Sequence, residues 1–126
     1  MKVVIEGRLP GTNELVSANR NSWQRGSSQK KNYTLWCEAC IKKSLRNKTI
    51  IPPYKRVDLY ITWYEMNARR DPDNIIGGLK YLLDGAVKSG AIPDDSQKYI
   101  RNIHSFIEVD KKHPRVEVEF KEVKDD

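Results

Sequence analysis

From Val57 to Met66 the chain alternates, with Val57, Leu59, Ile61 and Trp63 on one side and Asp58, Tyr60, Thr62 and Tyr64 on the other. A period of two written in strong β-formers predicts a strand with one buried face. Ile75, Ile76, Leu79, Leu82, Leu83, Ala86 and Val87 recur instead at the spacing of one helical stripe. They predict a continuous helix that stops at Gly90, a residue suited to a left-handed C-cap. Gly77 and Gly78 fall inside that stripe, where each costs about 1 kcal/mol against Ala. Either the first turn is irregular or another part of the chain comes close there.

The same reading extends to both ends. Val3 to Leu9 predicts a short strand that breaks at the turn "LPGTNE", and Thr12 to Asn32 is polar enough to be a long loop. Tyr33 to Asn47 places Leu35 or Trp36, Ala39 or Cys40, and Lys43 or Ser44 near helical spacing. Lys42, Lys43, Arg46 and Lys48 weight its C-terminal end, where cations suit the helix dipole, and the prolines of "IPPY" stop it. Lys98 to Val109 predicts a strand with Tyr99, Ile103, Ile107 and Val109 on one face. A hairpin around "DKKHP" then leads to an alternating strand from Arg115 to Lys121. The order β-α-β-α-β-β predicts a single α+β domain over residues 1–126, a four-stranded mixed sheet with two main helices on one face.

Composition narrows the partners. The 126 residues are 38% hydrophobic and 32% charged, with three Trp and six Tyr, which argues for a folded chain. A net charge of +6 makes a polyanion the natural partner class, a property shared with membrane-surface and merely soluble basic proteins. No apolar run approaches the ~20 residues needed to span a bilayer. "MKVVIEGRLP" lacks the apolar core of a signal peptide, so a cytoplasmic location is expected. Cys37 and Cys40 have the spacing of a zinc half-site, but no second Cys pair follows, and a helix is expected there.

The chemistry concentrates in "NARRDPDNIIGG". In an extended segment the spacing of Asp71 and Asp73 turns both carboxylates to one side, and Pro72 stiffens the stretch between them. Asp94 and Asp95 lie in the turn after the helix. Carboxylates without nearby His or Cys suit a hard cation such as Mg²⁺ or Mn²⁺, with Arg69 and Arg70 placed to neutralise a phosphate beside it. The plainer alternative is that Asp71 or Asp73 caps the helix, with proline in its first turn. A calcium loop fails because Ile76 stands where its glycine should be and Leu82 where its final Glu should be.

"RRDPDN", followed by an amphipathic helix and "LDGAVKSGAIPDDSQ", resembles the signature of RusA-type Holliday junction resolvases. The resemblance implies a bacterial or phage-encoded homodimer that nicks four-way DNA junctions symmetrically with Mg²⁺. It implies catalytic and metal-binding roles for Asp71, Asp73 and, rather than Asp94, Asp95. A family lysine maps onto Lys80, four residues before Asp84, although the spacing from Asn74 is a few residues longer here and contains Gly77 and Gly78. Lys80, Asp84 and Lys88 are also an ordinary i,i+4 row. Arg20, Arg25, Lys30, Lys31, Lys42 and Lys43 are candidate phosphate contacts beside Arg69 and Arg70, with Trp23 or Tyr33 as stacking groups. A non-catalytic branched-DNA-binding module is the alternative.

Overall fold

A computed structural model describes residues 1–11, 13–14, 23–46 and 55–124. Four strands, β1 (Lys2–Glu6), β2 (Val57–Glu65), β3 (Ile100–Val109) and β4 (Arg115–Glu122), form one mixed sheet in the order β1-β4-β2-β3. β2 runs parallel to β3, while β4 is antiparallel to both β1 and β2. The helices are α1 (Trp23–Arg46), a one-turn α2 (Pro72–Ile76) and α3 (Leu79–Ser89). The predicted α+β class and element order hold.

The alternation of β2 explains the layering. Val57, Leu59, Ile61 and Trp63 are buried against the helices together with Val3, Ile5, Val116, Val118 and Phe120 from the other strands. The opposite face keeps Val4 and Phe106 exposed and stacks Tyr60 on His104 at 4.6 Å. Residues 66–99, with α2 and α3, connect the parallel strands β2 and β3, a connection too long for a hairpin.

The expected closing hairpin is absent. β3 and β4 lie on either side of β2, so "DKKHP" steps across the end of that strand instead of joining neighbours. The Asp110 N–H donates to the Glu65 carbonyl at 2.7 Å and fixes the crossing.

α1 begins at Trp23, so the second half of the predicted polar loop is helical. Its buried stripe also differs from the expected one: Thr34, Cys37 and Ile41 face inward, whereas Leu35 and Trp36 stay 43% and 45% exposed. At Cys37 a small residue faces inward because α1 and α3 cross closely there. A Cβ on Gly85 would sit 2.6 Å from Cys37 Cβ and 2.9 Å from the Glu38 nitrogen. Burial pushes the Cys37 thiol up to about 12 and also raises Cys40, which makes both poor thiolates. Gly85→Ala should therefore destabilise the fold despite a helix-propensity gain of about 1 kcal/mol, because overpacking against backbone costs about 1–3 kcal/mol. A thermal melt of that variant checks the crossing, and an unchanged or raised Tm would contradict it.

The predicted helix is interrupted where the two glycines stand. Gly77 and Gly78 form a turn between α2 and α3 with helical dihedrals, so the stripe continues while the helix does not. Gly78 packs tightly: a Cβ there would meet Leu9 Cβ at 3.0 Å and the Trp63 ring at 3.1 Å. Gly90 closes α3 in the left-handed conformation at φ 83°, as expected.

Where β2 and β3 begin, a bulge breaks the register between Val57 and Leu59. Asp58 fills the gap, accepting hydrogen bonds from the Arg101 guanidinium and, at 3.0 Å, from the Asn102 N–H. Arg101 holds the Asp58 carboxyl below its ordinary value, against the opposing effect of burial. The folded value lies below the unfolded one of about 3.9, so this stabilisation is fully present above that pH and lost as pH falls through the folded value. The stability gap between wild type and Asp58→Asn should accordingly hold above about pH 4 and close as the pH is lowered further. Melts across that range read it directly; a gap that persisted at the acid end would contradict the assignment.

Candidate functional site

β2 delivers the chain to the acidic motif through a buried ion-pair hub. Glu65 continues the inward face of β2 and is only 4% exposed, a position where a carboxylate needs a partner. Arg70 supplies it. Its Nε and Nη2 donate to the two Glu65 oxygens, each at 2.8 Å. Its Nη1 donates to the Leu9 carbonyl at 3.1 Å and to Glu14 at 3.0 Å. Burial works against the Arg70 charge, and the bonds to Glu65 and Glu14 outweigh it, raising the pKa further. Burial likewise opposes the Glu14 charge, but hydrogen bonds from its own backbone, Arg70 and Asn74 hold its pKa below the usual carboxylate range.

This geometry corrects one expectation. Arg70 does not stand ready for phosphate; its fork is spent on Glu65, Glu14 and Leu9, and its side chain is 9% exposed. Arg69 is the exposed member of the pair.

The hub also ties residues 9–11, 13 and 14 to α2. The Asn13 N–H donates to Asn74 Oδ1 at 2.8 Å, and the Gly11 N–H donates to Glu14 at 3.1 Å. Any side chain at Gly11 would collide with the Asn74 carbonyl. Leu9, Gly11, Asn13 and Glu14 thus pack with "DPDN" as one unit, with Asn74 buried at its centre.

Asp71 and Asp73 stand on the outer side of that unit, both exposed. Asp71 is extended at φ −71° and ψ 150°, and Pro72 opens α2, so Asp73 lies in the first helical turn. The two carboxylates therefore do not share one extended register as the spacing predicted, because proline at this place starts the helix. Asp71 occupies the N-cap position, yet its side chain makes no capping hydrogen bond. Neither aspartate has an ion pair or hydrogen-bond partner for its carboxylate among the described residues.

Asp94 and Asp95 line a different feature, a cleft of about 510 Å³ between α1 and α3. Lys30, Lys31 and Thr34 border it from α1, and Lys80, Asp84 and Lys88 from α3. Lys80 pairs with Asp84 at 3.2 Å, as the i,i+4 row predicted, and Lys30 reaches the other oxygen of Asp84 at 4.0 Å. Among the described residues no three His, Cys, Asp or Glu side chains converge closely enough to hold a metal ion. Asp71 and Asp73 are thus not gathered with Asp95 into one cage. Mg²⁺ binds through only one or two carboxylates with waters and substrate phosphates, and either exposed pair offers that donor set.

Of the other basic candidates, Lys42 is engaged with Glu38 at 2.9 Å, and Lys43 is exposed on α1. Arg25 falls on α1, and Arg20 lies outside the described residues. Tyr33 packs against Tyr81 with ring centroids 5.7 Å apart. Among the described residues, no helix is long and apolar enough to cross a membrane.

In comparisons with known proteins, no family model matches this chain and no curated protein matches it.

Proposed function

We propose that this chain is a Mg²⁺-dependent, structure-selective endodeoxyribonuclease of the RusA type, a homodimer that nicks four-way DNA junctions symmetrically in recombination and repair. Asp71 is the observation that carries this conclusion. It stands where a capping aspartate belongs, on a rigidly braced turn, and its carboxylate does no capping. An aspartate held this firmly and left unused by the fold, two residues from a second unpaired one, is available for chemistry.

Asp71 and Asp73 on the turn, or Asp95 with Asp94 at the cleft, are the carboxylates that would hold Mg²⁺, or Mn²⁺ in its place. Such an ion, when bound, polarises a phosphodiester and lowers the pKa of a bound water. Arg69 and Lys80 then serve phosphate, and Arg70 serves the fold by holding the aspartate turn against β2. An isologous dimer offers two equivalent sites to the two opposed strands of a junction, which has the same two-fold symmetry.

A second reading, a branched-DNA-binding module without catalysis, is favoured by one observation: no three metal-capable side chains converge among the described residues. Four substrates separate the possibilities, namely a four-way junction, a flap, a linear duplex and a hairpin RNA, each incubated with the protein in Mg²⁺ and mapped at nucleotide resolution. The expected result is paired nicks at opposed positions of the junction with the duplex intact. A junction bound but uncut would favour the binding module, and preferential cutting of the flap or RNA would replace the substrate.

A further inference from the structure

β3 stands at one edge of the sheet and carries exposed apolar side chains on both faces. Ile103, Phe106 and Val109 are 39%, 51% and 56% exposed. Ile103 and Val109 pair in register with Leu59 and Glu65 and so lie on the helix-covered face, whereas Phe106, beside Thr62, lies on the other. A partner packed flat on the sheet would cover one set and leave the other wet. A partner that continues the sheet edge-on reaches both.

The backbone of the same stretch has no second partner strand among the described residues. The Asp110 N–H donates to the Glu65 carbonyl and the Asn102 N–H to Asp58, so the even-numbered residues of β3 turn their backbone groups toward β2. Alternation along a strand then turns the N–H and C=O groups of Ile103, Ser105, Ile107 and Val109 away from the sheet. The opposite edge differs. At β1 the Glu6 carbonyl already accepts from Trp36 Nε1 at 3.0 Å, so α1 engages part of that edge itself.

We propose that a second copy of this chain adds its own β3 antiparallel to this edge, about a two-fold axis at Phe106, merging the two four-stranded sheets into one. The inference names the interface of the homodimer proposed above and rests on that reading. A two-fold axis normal to the sheet keeps like faces together, as directly opposed residues of antiparallel strands require. Centred on Phe106, it sets Ile103 opposite the partner's Val109 and Ser105 opposite the partner's Ile107. All four have outward backbone groups, so each pair exchanges two hydrogen bonds. On the other face His104 meets the partner's Glu108, and the two Phe106 rings meet at the axis, in positions where cross-strand side chains come nearest. The exposed apolar residues of β3 thereby cover one another. An axis at Ser105 would instead set Val109 against Arg101, whose guanidinium is held by Asp58.

Sedimentation of the full chain and cysteine cross-linking test this interface together. Directly opposed residues of a non-hydrogen-bonded pair lie about 4.5 Å apart at Cα, within the span of a disulfide. Phe106→Cys oxidised with diamide should therefore give a covalent dimer, whereas wild type, with Cys37 buried and Cys40 half-buried, should not. Val4→Cys, on the β1 edge, should run as a single chain on a denaturing gel after the same treatment. Phe106→Glu places two like charges against each other at the axis and should raise the dimer dissociation constant about tenfold, with the circular dichroism of wild type. A wild-type dimer that Phe106→Glu leaves intact, and that cross-links at Val4→Cys or at neither position, would keep the homodimer and overturn this interface. A wild type that sediments as a monomer at every concentration would overturn the interface and symmetric nicking together. A dimer cross-linked through Phe106→Cys that nicks no junction in Mg²⁺ would sustain the interface and remove the nuclease reading.

Discussion

Asp73→Asn should stop the nicking of a four-way junction and leave junction binding and folding nearly intact. Asn matches Asp in shape and loses the charge that would hold a divalent cation. The fold has little stake in that charge, since Asp73 is exposed and unpartnered among the described residues. Its only structural contribution is a carboxylate in the first turn of the short α2, worth about 0.3–1 kcal/mol at most. The rate should fall far more, by about 10²–10³, the scale seen when one electrostatic stabiliser of a transition state is removed. Single-turnover nicking, a gel shift in EDTA and a melt, all on one preparation, read the three quantities apart. A variant with wild-type nicking in Mg²⁺ would remove Asp73 from the site.

The largest stability effect should come from Arg70→Ala. Glu65 has a side chain only 5% exposed, and Arg70 is its bidentate partner. Deleting the guanidinium leaves a buried carboxylate uncompensated and also frees the Leu9 carbonyl and Glu14. Breaking one side of a buried ion pair costs about 3–5 kcal/mol, a large share of the 5–15 kcal/mol that keeps a domain folded. For a chain of this size the Tm should drop by roughly 10–20 °C. Arg69→Ala is the control: its exposed side chain makes no ion pair among the described residues, so the change should stay within about 0.5 kcal/mol. Arg70→Lys should be intermediate, because a point charge cannot reproduce the planar fork. Equal melts for the two alanine variants would show that the hub carries no weight.

That pair of arginines illustrates what the sequence makes legible. The even-odd pattern of β2 predicts its buried face, and continuing the count past Trp63 reaches Glu65, a carboxylate at an inward position. A buried acid requires a cation, and the nearest in sequence are Arg69 and Arg70. Which of them turns inward is decided by the three-dimensional path of the turn. The helical stripe and the Gly90 cap were readable for the same local reason, being periodicities and backbone preferences of neighbouring residues.

What stayed illegible is non-local or inverted in scale. Nothing in β3 and β4 separately says that β2 lies between them, so a short turn-rich connection read as a hairpin. On α1 Leu35 and Trp36 face out, and Thr34, Cys37 and Ile41 face in, with α3 coming too close at Cys37 for anything bulky there. A hydrophobic count weighs size and so selects the wrong face. In the candidate site, the proline-opened turn at Asp71 was legible in the motif as the alternative of a helix cap, whereas the failure of Asp71 and Asp73 to converge with Asp95 depends on how α2 and α3 fold back. The glycines resolve in the same terms: Gly78 makes room for Leu9 and Trp63, and so lets the aspartate turn sit down on the sheet.

Metal-dependent strand cutting is the central claim, and a synthetic four-way junction with wild-type protein tests it most directly. Nicking is followed as Mg²⁺ is titrated from an EDTA-chelated start, with Mn²⁺ in a parallel series. The account predicts tight binding without cutting in EDTA, then paired nicks in opposed strands that rise with Mg²⁺ and with Mn²⁺. Binding that persists with no nicks at any metal concentration would contradict it.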